Sequence, residues 1–205
     1  KNMLLKNKVA IITGGTRGIG FETARQFLLN GAKVAVFGSR KETVDTAVEK
    51  LKAENKDFEV MGLFPQLNKT EEVSKAFEEV NKTFGKIDIL INNAGISSST
   101  PLLNFTDEEY DKIADLNIKS VFVCSKVAVP YLEKTKGCII NTSSMVSTYG
   151  QPSGVMYPAS KYAVNGITQS LSRELAPKGI RVNAVAPGIT ETDMVSALPP
   201  AMIEP

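Results

Sequence analysis

The stretch VAIITGGTRGIG, residues 9–20, joins a short apolar run to a glycine-rich loop. The apolar run is typical of a buried strand, and helical periodicity over residues 21–31 follows the loop at once. Gly14 permits a tight turn, Gly18 lets the backbone approach a pyrophosphate, and Gly20 allows close packing of helix on strand. The loop is not the GxGxxG fingerprint, and it can also be interpreted as a purely structural turn. The helix N-terminus behind it nevertheless predicts a phosphate site.

Strands and helices alternate along the rest of the chain. The predicted strands are 9–13, 33–38, 58–64, 87–95 (running into a loop), 138–144 and 180–188, and the predicted helices are 21–31, 41–54, 70–85, 107–133 and 157–176. This alternation predicts an α/β fold, a doubly wound parallel sheet with helices on both faces and a ligand site at the carboxyl ends of its strands. We expect a single domain over residues 1–205, and an α/β domain with another strand order or ligand remains the alternative.

Composition excludes several classes of function. The chain has 205 residues, a formal net charge of +2 and no histidine. The near-balanced charge, without a long basic run, argues against nucleic acid as a partner, and no apolar stretch approaches the roughly 18 residues that span a bilayer. The apolar run at the start is too short for a signal peptide. Cys124 and Cys138 lack metal-ligand spacing, so we expect reduced core cysteines in a cytoplasmic protein without a metal site.

The end of the second predicted strand indicates which dinucleotide would bind. A site for the 2′-hydroxyl of NAD usually carries an acid about 20 residues beyond the glycine loop. Here the sequence reads FGSRKE and offers Ser39 and Arg40, while Arg17 adds a second cation from the glycine loop. Two guanidinium groups and a hydroxyl suit a 2′-phosphate, so we predict NADP(H) in preference to NAD(H). The alternative is that both arginines are solvated surface charges.

The segment MYPASKYAV, residues 156–164, places Tyr157 four residues before Lys161. Positions i and i+4 share one face of a helix, and an ammonium near a phenol favours the phenolate and lowers the phenol pKa. Such a pair could move protons in a chain without histidine. An exposed helix pair without a function is the alternative.

Six motifs occur in a fixed order along the chain: TGGTRGIG (13–20), NNAG (92–95), LN (116–117), NTSS (141–144), YPASK (157–161) and APGITETDM (186–194). Together they resemble the short-chain dehydrogenases/reductases, whose Rossmann-type fold agrees with the predicted sheet. Within that family the chain is most similar to bacterial 3-oxoacyl-acyl-carrier-protein reductases and to clostridial bile-acid hydroxysteroid dehydrogenases.

The resemblance implies a catalytic group of Asn117, Ser144, Tyr157 and Lys161. Three serines are close together, and the family spacing to the tyrosine selects Ser144 over Ser143 and Ser147. With a nicotinamide bound, Lys161 would hold the ribose hydroxyls and lower the pKa of Tyr157, which would pass a proton to the substrate carbonyl oxygen. Ser144 would donate a second hydrogen bond to that oxygen, and Asn117 would anchor a water that links Lys161 to solvent. The alternative for Asn117 is that it only satisfies backbone groups in a helix.

The resemblance also implies a set of cofactor contacts. Asn93 and Ala94 would contact the adenosine ribose through their backbone, and Gln66 stands where the family usually has an adenine-binding aspartate. Thr190 and Thr192 would bind the nicotinamide carboxamide and a phosphate, with helix capping as their alternative role. The full expected set is Gly14, Thr16, Arg17, Gly18, Ile19, Gly20, Ser39, Arg40, Gln66, Leu67, Asn93, Ala94, Gly95, Tyr157, Lys161, Pro187, Gly188, Thr190 and Thr192.

Three hypotheses remain for the function. A 3-oxoacyl-thioester reductase is placed slightly ahead of a hydroxysteroid dehydrogenase, and a catalytically silent dinucleotide-binding sensor or scaffold is the third. A small hydrophobic carbonyl or alcohol substrate would meet an apolar wall and lid, to which we assign Met145, Val146, Tyr149, Met194, Val195, Leu198 and Met202. An acyl carrier protein, as a possible partner, would need cations near the cleft, for which Arg173, Lys134 and Lys136 are the candidates.

Family members normally continue through another helix and a seventh strand, which build a sheet edge and a subunit interface. We therefore expect that the chain, which stops at Pro205, is truncated or lacks its C-terminal part. By the same resemblance we expect a homotetramer, or else a homodimer.

Overall fold

The computed structural model describes residues 3–190 and shows one parallel sheet with helices on both faces. The strands are β1 (Val9–Thr13), β2 (Lys33–Phe37), β3 (Val60–Leu63), β4 (Ile89–Asn92), β5 (Cys138–Thr142) and β6 (Arg181–Val185). The helices are α1 (Gly18–Leu29), α2 (Lys41–Glu54), α3 (Thr70–Phe84), α4 (Asp107–Ile113), α5 (Ser120–Thr135), α6 (Val146–Tyr149) and α7 (Met156–Leu175). The predicted α/β fold is confirmed.

The strand order is β3-β2-β1-β4-β5-β6, so the chain reverses its direction of travel across the sheet between β1 and β4. In open parallel sheets, ligands bind outside the carboxyl ends of the strands at such a reversal point. The glycine loop follows β1, and the NNAG motif follows from β4. The fold therefore brings these two motifs side by side.

Both faces of the sheet are buried. Along β1, Val9 and Ile11 belong to one apolar cluster, and Ala10 and Ile12 belong to the other. The first cluster includes residues of α3, α5 and α7, and the second includes residues of α1 and α2. A strand that is buried on both faces carries a continuous apolar run rather than an alternating one, which explains the composition of β1.

The predicted helix over residues 107–133 is one element in the sequence but three in the structure. It divides into α4, a π-helical turn over Ala114–Lys119, and α5. A π turn inside an α-helix contains one extra residue, and such turns are frequent at functional sites. The short helix α6 was not predicted. Four residues give too little periodicity to be recognised.

Both cysteines are buried, as predicted. Cys124 lies on α5 within the first apolar cluster, and burial raises the pKa of its thiol to about 12. Within residues 3–190, no helix is both long and apolar enough to cross a membrane.

The cations expected beside the cleft lie at the other edge of the sheet, so this prediction is wrong for a single chain. Lys134 and Lys136 precede β5 and therefore lie at its amino end, where the Lys136 Nζ donates to the Lys178 carbonyl oxygen at 3.1 Å. Arg173 lies in the last turn of α7. It is sixteen residues beyond Tyr157, about 24 Å along the helix at about 1.5 Å per residue.

Candidate active site

A cleft of about 1130 Å³ runs across the carboxyl ends of the strands. This volume is slightly above the usual range for ligand pockets, about 300–1,000 Å³, and suits a large cofactor together with a substrate. Most of the predicted site residues line it: Gly14, Thr16, Arg17, Gly18, Ile19, Ser39, Gln66, Leu67, Asn93, Ala94, Gly95, Ser144, Tyr157, Lys161, Pro187, Gly188 and Thr190. Gly20, Arg40 and Asn117 lie outside its wall, and Thr192 lies outside the described residues.

The glycine loop packs so closely that side chains would not fit in it. A Cβ on Gly14, whose φ is +64°, would lie 2.9 Å from the Ala94 Cα, and a Cβ on Gly20 would lie 2.2 Å from the Gly14 carbonyl oxygen. Helix α1 begins at Gly18, and the side chain of its N-cap residue, Arg17, accepts no backbone hydrogen bond. The first amides of α1 are therefore free to donate to a phosphate.

A threonine that the sequence analysis missed connects the two motifs. The Thr13 Oγ1 accepts hydrogen bonds from the backbone amides of Asn93 and Ala94, both at 3.0 Å. The Asn93 side chain in turn donates to the carbonyl oxygens of Thr13 and Gly14, each at 3.2 Å. The side-chain amide of Asn93 therefore holds the glycine loop, and only the backbone of Asn93 remains to contact a ligand.

At the end of β2, Ser39 lines the cleft and Arg17 faces it from the glycine loop. Arg40 is the exposed N-cap residue of α2 and lies outside the cleft wall. Beyond β3, Gln66 lines the cleft, and its backbone amide donates to a carboxylate oxygen of Glu72 at 2.8 Å. Phe64, which was not predicted, is half exposed and lines the same part of the cleft.

Tyr157 and Lys161 lie together at the N-terminal end of α7. The Lys161 Nζ is 5.8 Å from the centre of the Tyr157 ring and donates to the Thr142 carbonyl oxygen at 2.8 Å. Lys161 is only 5% exposed, and this burial lowers the pKa of its ammonium to about 8. Burial raises the pKa of the Tyr157 phenol, and interaction with the Ser144 side chain offsets part of that rise. In the chain alone, desolvation of the phenol therefore outweighs any stabilisation of the phenolate.

The three neighbouring serines have different surroundings. Ser144 lines the cleft together with Tyr157, and its side chain partly offsets the burial that raises the pKa of the Tyr157 phenol. The Ser147 Oγ donates to the Ser144 carbonyl oxygen at 2.7 Å and accepts from the Asn165 side chain at 2.9 Å. The Ser143 Oγ lies 3.1 Å from the Ser147 Oγ. Ser143 and Ser147 therefore hold α6 against α7, whereas Ser144, whose Oγ accepts from the Val146 amide at 3.4 Å, lines the cleft.

Asn117 lies in the π-helical turn and is almost fully buried. Its Oδ1 accepts from the Ile96 amide at 2.9 Å, and its Nδ2 donates to the Ile96 carbonyl oxygen at 2.9 Å and to the Ser160 Oγ at 3.0 Å. The side chain is thus fully engaged in holding the segment after β4. Only the backbone of Asn117 remains for the predicted contact with a water.

Two loops that the sequence analysis missed complete the cleft: Ile96–Ser99 after β4 and Gly150–Ser153 before α7. Their serine, glycine and proline content indicates loops, but only the fold shows that they face one another. Of the expected apolar wall, Met145 and Val146 line the cleft, whereas Tyr149 is 82% exposed and lies outside it. Met194, Val195, Leu198 and Met202 lie outside the described residues.

The chain is similar to known proteins over almost its whole length. A family model described as short chain dehydrogenase matches residues 8–202. A 3alpha-hydroxysteroid dehydrogenase of Mediterraneibacter gnavus is 58% identical over 204 residues, covering 99% of this chain and 82% of that protein. A 3-oxoacyl-(acyl-carrier-protein) reductase of Staphylococcus epidermidis is 41% identical over 194 residues, covering 94% of this chain and 79% of that protein.

Solved structures agree with the sequence relatives. A short chain dehydrogenase from Burkholderia cenocepacia, solved in complex with NADP, superposes with a TM-score of 0.86 at 36% identity, covering 93% of this chain and 77% of its own. A dehydrogenase/reductase from Sinorhizobium meliloti superposes with a TM-score of 0.87 at 34% identity, covering 94% and 76%. The strand order, the paired glycine and NNAG motifs and these similarities lead to one conclusion: the chain belongs to the short-chain dehydrogenase family of oxidoreductases.

Proposed function

We propose that this enzyme interconverts a ketone and a secondary alcohol on a hydroxysteroid, using NADP(H). The observation that carries the proposal is the convergence of Ser144, Tyr157 and Lys161 on one end of a cleft whose other end is the glycine loop. A buried lysine without a counter-ion among the described residues, next to a half-buried phenol, is costly for a protein that only binds nucleotides. This argues against a silent sensor or scaffold.

The cleft fits a dinucleotide. Gly14 and Gly20 allow the close internal packing of the glycine loop, and Gly18 and Ile19, the first residues of the uncapped helix α1, line the cleft where a pyrophosphate would lie. A bound nicotinamide dinucleotide would supply or accept the hydride. The guanidinium of Arg17 and the hydroxyl of Ser39 line the cleft where a 2′-phosphate would be bound, and Arg40 follows directly. These groups, without an acid at that position, favour NADP(H) over NAD(H).

The chain's own residues would handle the proton. Tyr157 would donate its phenolic proton to the carbonyl oxygen in reduction and take it back in oxidation. Ser144, already beside the phenol, would donate a second hydrogen bond to the same oxygen. Lys161, held by the Thr142 carbonyl oxygen, would bind the ribose and favour the phenolate when the site is filled. Asn117 would hold the loop at Ile96 and contact a water through its backbone.

A steroid is favoured over a thioester as the substrate, which reverses the order expected from the sequence. The relative at 58% identity is a 3alpha-hydroxysteroid dehydrogenase, whereas the oxoacyl reductase has 41% identity. Ile96, Met145, Val146 and Ile189 give the cleft an apolar lining that suits a rigid hydrocarbon skeleton. The expected carrier-protein patch lies at the opposite edge of the same chain.

The test is an assay of the purified full chain with 3-keto bile acids and with acetoacetyl thioesters, each with NADPH and with NADH. We expect the highest kcat/KM with a 3-keto steroid and NADPH, and as a control we expect the Tyr157→Phe variant to lose about 10³-fold or more in kcat with either substrate. Preference for the thioester would overturn the steroid assignment. Absence of dinucleotide oxidation with every ketone would favour the sensor.

A 3-oxoacyl thioester remains the second candidate because the oxoacyl reductases are similar over more than nine tenths of the chain. Comparing an acyl-carrier-protein substrate with its small thioester analogue, in the wild type and in the Arg173→Ala variant, tests it. A gain from the carrier that Arg173→Ala abolishes would support this candidate, and equal turnover in all four assays would exclude a role for the carrier.

We also propose that the enzyme is a homotetramer or a homodimer. Phe122 on α5 and Tyr162 on α7 expose about half of their aromatic side chains, and such surfaces are typical of subunit contacts. Light scattering of the full-length enzyme measures the assembly directly, and a monomeric mass at assay concentration would contradict the proposal.

A further inference from the structure

In the outer wall of the cleft, formed by residues 96–100 and 150–154, the Gln151 side chain binds the backbone of both loops. The Gln151 Nε2 lies 2.8 Å from the carbonyl oxygen of Ser98, 2.5 Å from that of Ser153 and 2.8 Å from that of Gly154. A primary amide has two N–H donors, so this group is saturated by the backbone of both loops. The side chain therefore serves to join the two loops.

A second contact and a glycine bring the same loops together. The Ser153 Oγ donates to the Ser99 carbonyl oxygen at 2.7 Å. Gly154 has a φ of +86°, and a Cβ there would lie 2.3 Å from the Ser98 carbonyl oxygen. The backbones of the two loops thus approach each other so closely at Gly154 that a side chain would not fit there. Gln151 hydrogen-bonds to both backbones at this contact.

The loop over residues 96–100 is also fixed from the helical side. The Glu109 Oε1, on α4, accepts from the Ser98 Oγ at 2.5 Å and from the Thr100 Oγ1 at 2.7 Å. Asn117 binds both backbone groups of Ile96. The loop over residues 96–100 is therefore held by side chains from the 150–154 loop, from α4 and from the π-helical turn. A loop that only connects two elements does not require so many side-chain hydrogen bonds.

The position of the outer wall explains why it is held. The glycine loop and the ends of β2 and β3 would hold a dinucleotide. The first loop of the wall follows Gly95, and the second leads to Tyr157. We propose that Gln151 is a positioning residue that locks the outer wall into one shape and thereby determines which ketones reach Tyr157. This inference rests on the proposed function, because it names the part of the same site that selects the substrate.

The proposal predicts a particular pattern of kinetic change. A preorganised wall binds a rigid substrate without a cost for ordering loops, and it rejects substrates of another shape. In Gln151→Glu, carboxylate oxygens would replace the donors and repel the three carbonyl oxygens. We expect the KM of a 3-keto steroid to rise about tenfold or more, and the preference for the steroid over a small ketone to fall, with dinucleotide affinity unchanged within about twofold.

Two further variants make the test specific. Gln169→Glu makes the same chemical change at an exposed position of α7 and should leave all these constants unchanged. Gly154→Ala should reproduce the effect of Gln151→Glu, because its methyl group would push Ser98 away. If Gln151→Glu does not fold, Ser153→Ala can replace it, because this variant removes the hydrogen bond from Ser153 to Ser99 between the same two loops. It should raise the KM of the steroid by a smaller factor.

Amide hydrogen exchange tests the bridge independently of the reaction. The backbone amide of Ile96 donates to the Asn117 Oδ1, and the backbone amide of Thr100 donates to the Ser98 Oγ. We expect Gln151→Glu to accelerate their exchange about tenfold or more and to leave β1 unchanged. Unchanged exchange, or an equal loss of dinucleotide affinity, would overturn the proposal. Because this measurement needs no substrate, accelerated exchange in an enzyme inactive on steroids would count against the proposed function alone.

Discussion

The two edges of the sheet each bury one charged side chain, and they treat it in opposite ways. At the amino edge, the carboxylate of Asp88, 3% exposed, accepts from the Val9 amide at 2.9 Å and pairs with Lys8 at 3.2 Å and Lys86 at 3.0 Å. At the carboxyl edge, the ammonium of Lys161, 5% exposed, donates to one neutral carbonyl oxygen. Among the described residues no carboxylate pairs with it.

The difference indicates which edge is functional. A buried charge that is paired and hydrogen-bonded contributes to the fold, whereas a buried charge without a counter-ion that lines a cleft is a candidate for a functional site. Asp88 joins β1 to the start of β4 and is fully paired. For Lys161, which donates one hydrogen bond to a carbonyl oxygen, we propose that the remaining donors serve a ligand. The following variants test this contrast.

The largest effect should come from the phenol at the carboxyl edge. Tyr157→Phe removes the group that would donate the proton and leaves the ring that packs beside Lys161. We expect kcat to fall by about 10³-fold or more, in line with the loss of a general acid, with little change in dinucleotide affinity. Steady-state kinetics and fluorescence titration with NADPH measure the two quantities. Near-normal turnover would refute the proposed mechanism.

Removing the charge of Lys161 should raise the free energy of unfolding, whereas removing the charge of Asp88 should not. The pKa of Lys161 is about 8 in the folded chain, below its ordinary value of 10.5 because of burial. The folded state therefore carries the full cost of the charge below pH 8, and this cost disappears as the pH rises from 8 to 10.5. Without dinucleotide, Lys161→Met should raise the free energy of unfolding at pH 7 by up to about 3 kcal/mol, since one pKa unit corresponds to about 1.4 kcal/mol.

Urea denaturation of Lys161→Met at pH 7 and at pH 9.5 measures this gain, which should shrink at the higher pH. Lys50→Met, at an exposed position of α2, serves as the matched control and should change little at either pH. A loss of stability in Lys161→Met at pH 7 would mean that the ammonium is compensated in the fold, and the contrast between the edges would fail.

The opposite result is expected at the amino edge. Asp88→Asn removes the carboxylate charge that pairs with two lysines, and it weakens the hydrogen bond from the Val9 amide. We therefore expect a loss of about 1–2 kcal/mol in the free energy of unfolding. Activity of the folded fraction should stay within about twofold, because the cleft is at the other edge. Denaturation and kinetics on the same preparation separate the two effects, and a large drop in kcat would show that the edges are coupled.

The smallest effect concerns the far end of the cleft. Ser39→Asp places a carboxylate at the end of β2, where it would repel a 2′-phosphate and accept hydrogen bonds from ribose hydroxyls. We expect the ratio of kcat/KM for NADPH to that for NADH to fall by about tenfold or more, while kcat with the better cofactor stays similar. A wild-type enzyme that already uses NADH as well as NADPH would contradict the assigned role of Ser39.

Local patterns were sufficient where one segment carries the whole signal. The apolar run of β1, the glycine loop and the i,i+4 spacing of Tyr157 and Lys161 were all predicted from neighbouring residues. Patterns failed where the outcome depends on contacts between distant segments. The helix predicted over 107–133 contains a π turn, in which Asn117 hydrogen-bonds to Ile96, and no local propensity reports that contact.

By itself the sequence determined the α/β class, the order of the motifs and the spacing of Tyr157 and Lys161, because strand and helix periodicity and loop chemistry are local properties of the chain. Asn117 and Ser144 were expected only from the family resemblance. Only the tertiary structure decided what meets what. It brought the Thr13 hydroxyl into hydrogen-bonding distance of the Asn93 amide, and it placed Ser144, of the three serines, where it acts on Tyr157. It also joined the two loops of the outer wall through Gln151 and placed Lys134, Lys136 and Arg173 at the edge of the sheet opposite the cleft. The reason is physical: these contacts join residues that are far apart in the chain, and parallel strand pairing brings such residues together at one edge or separates them to opposite edges.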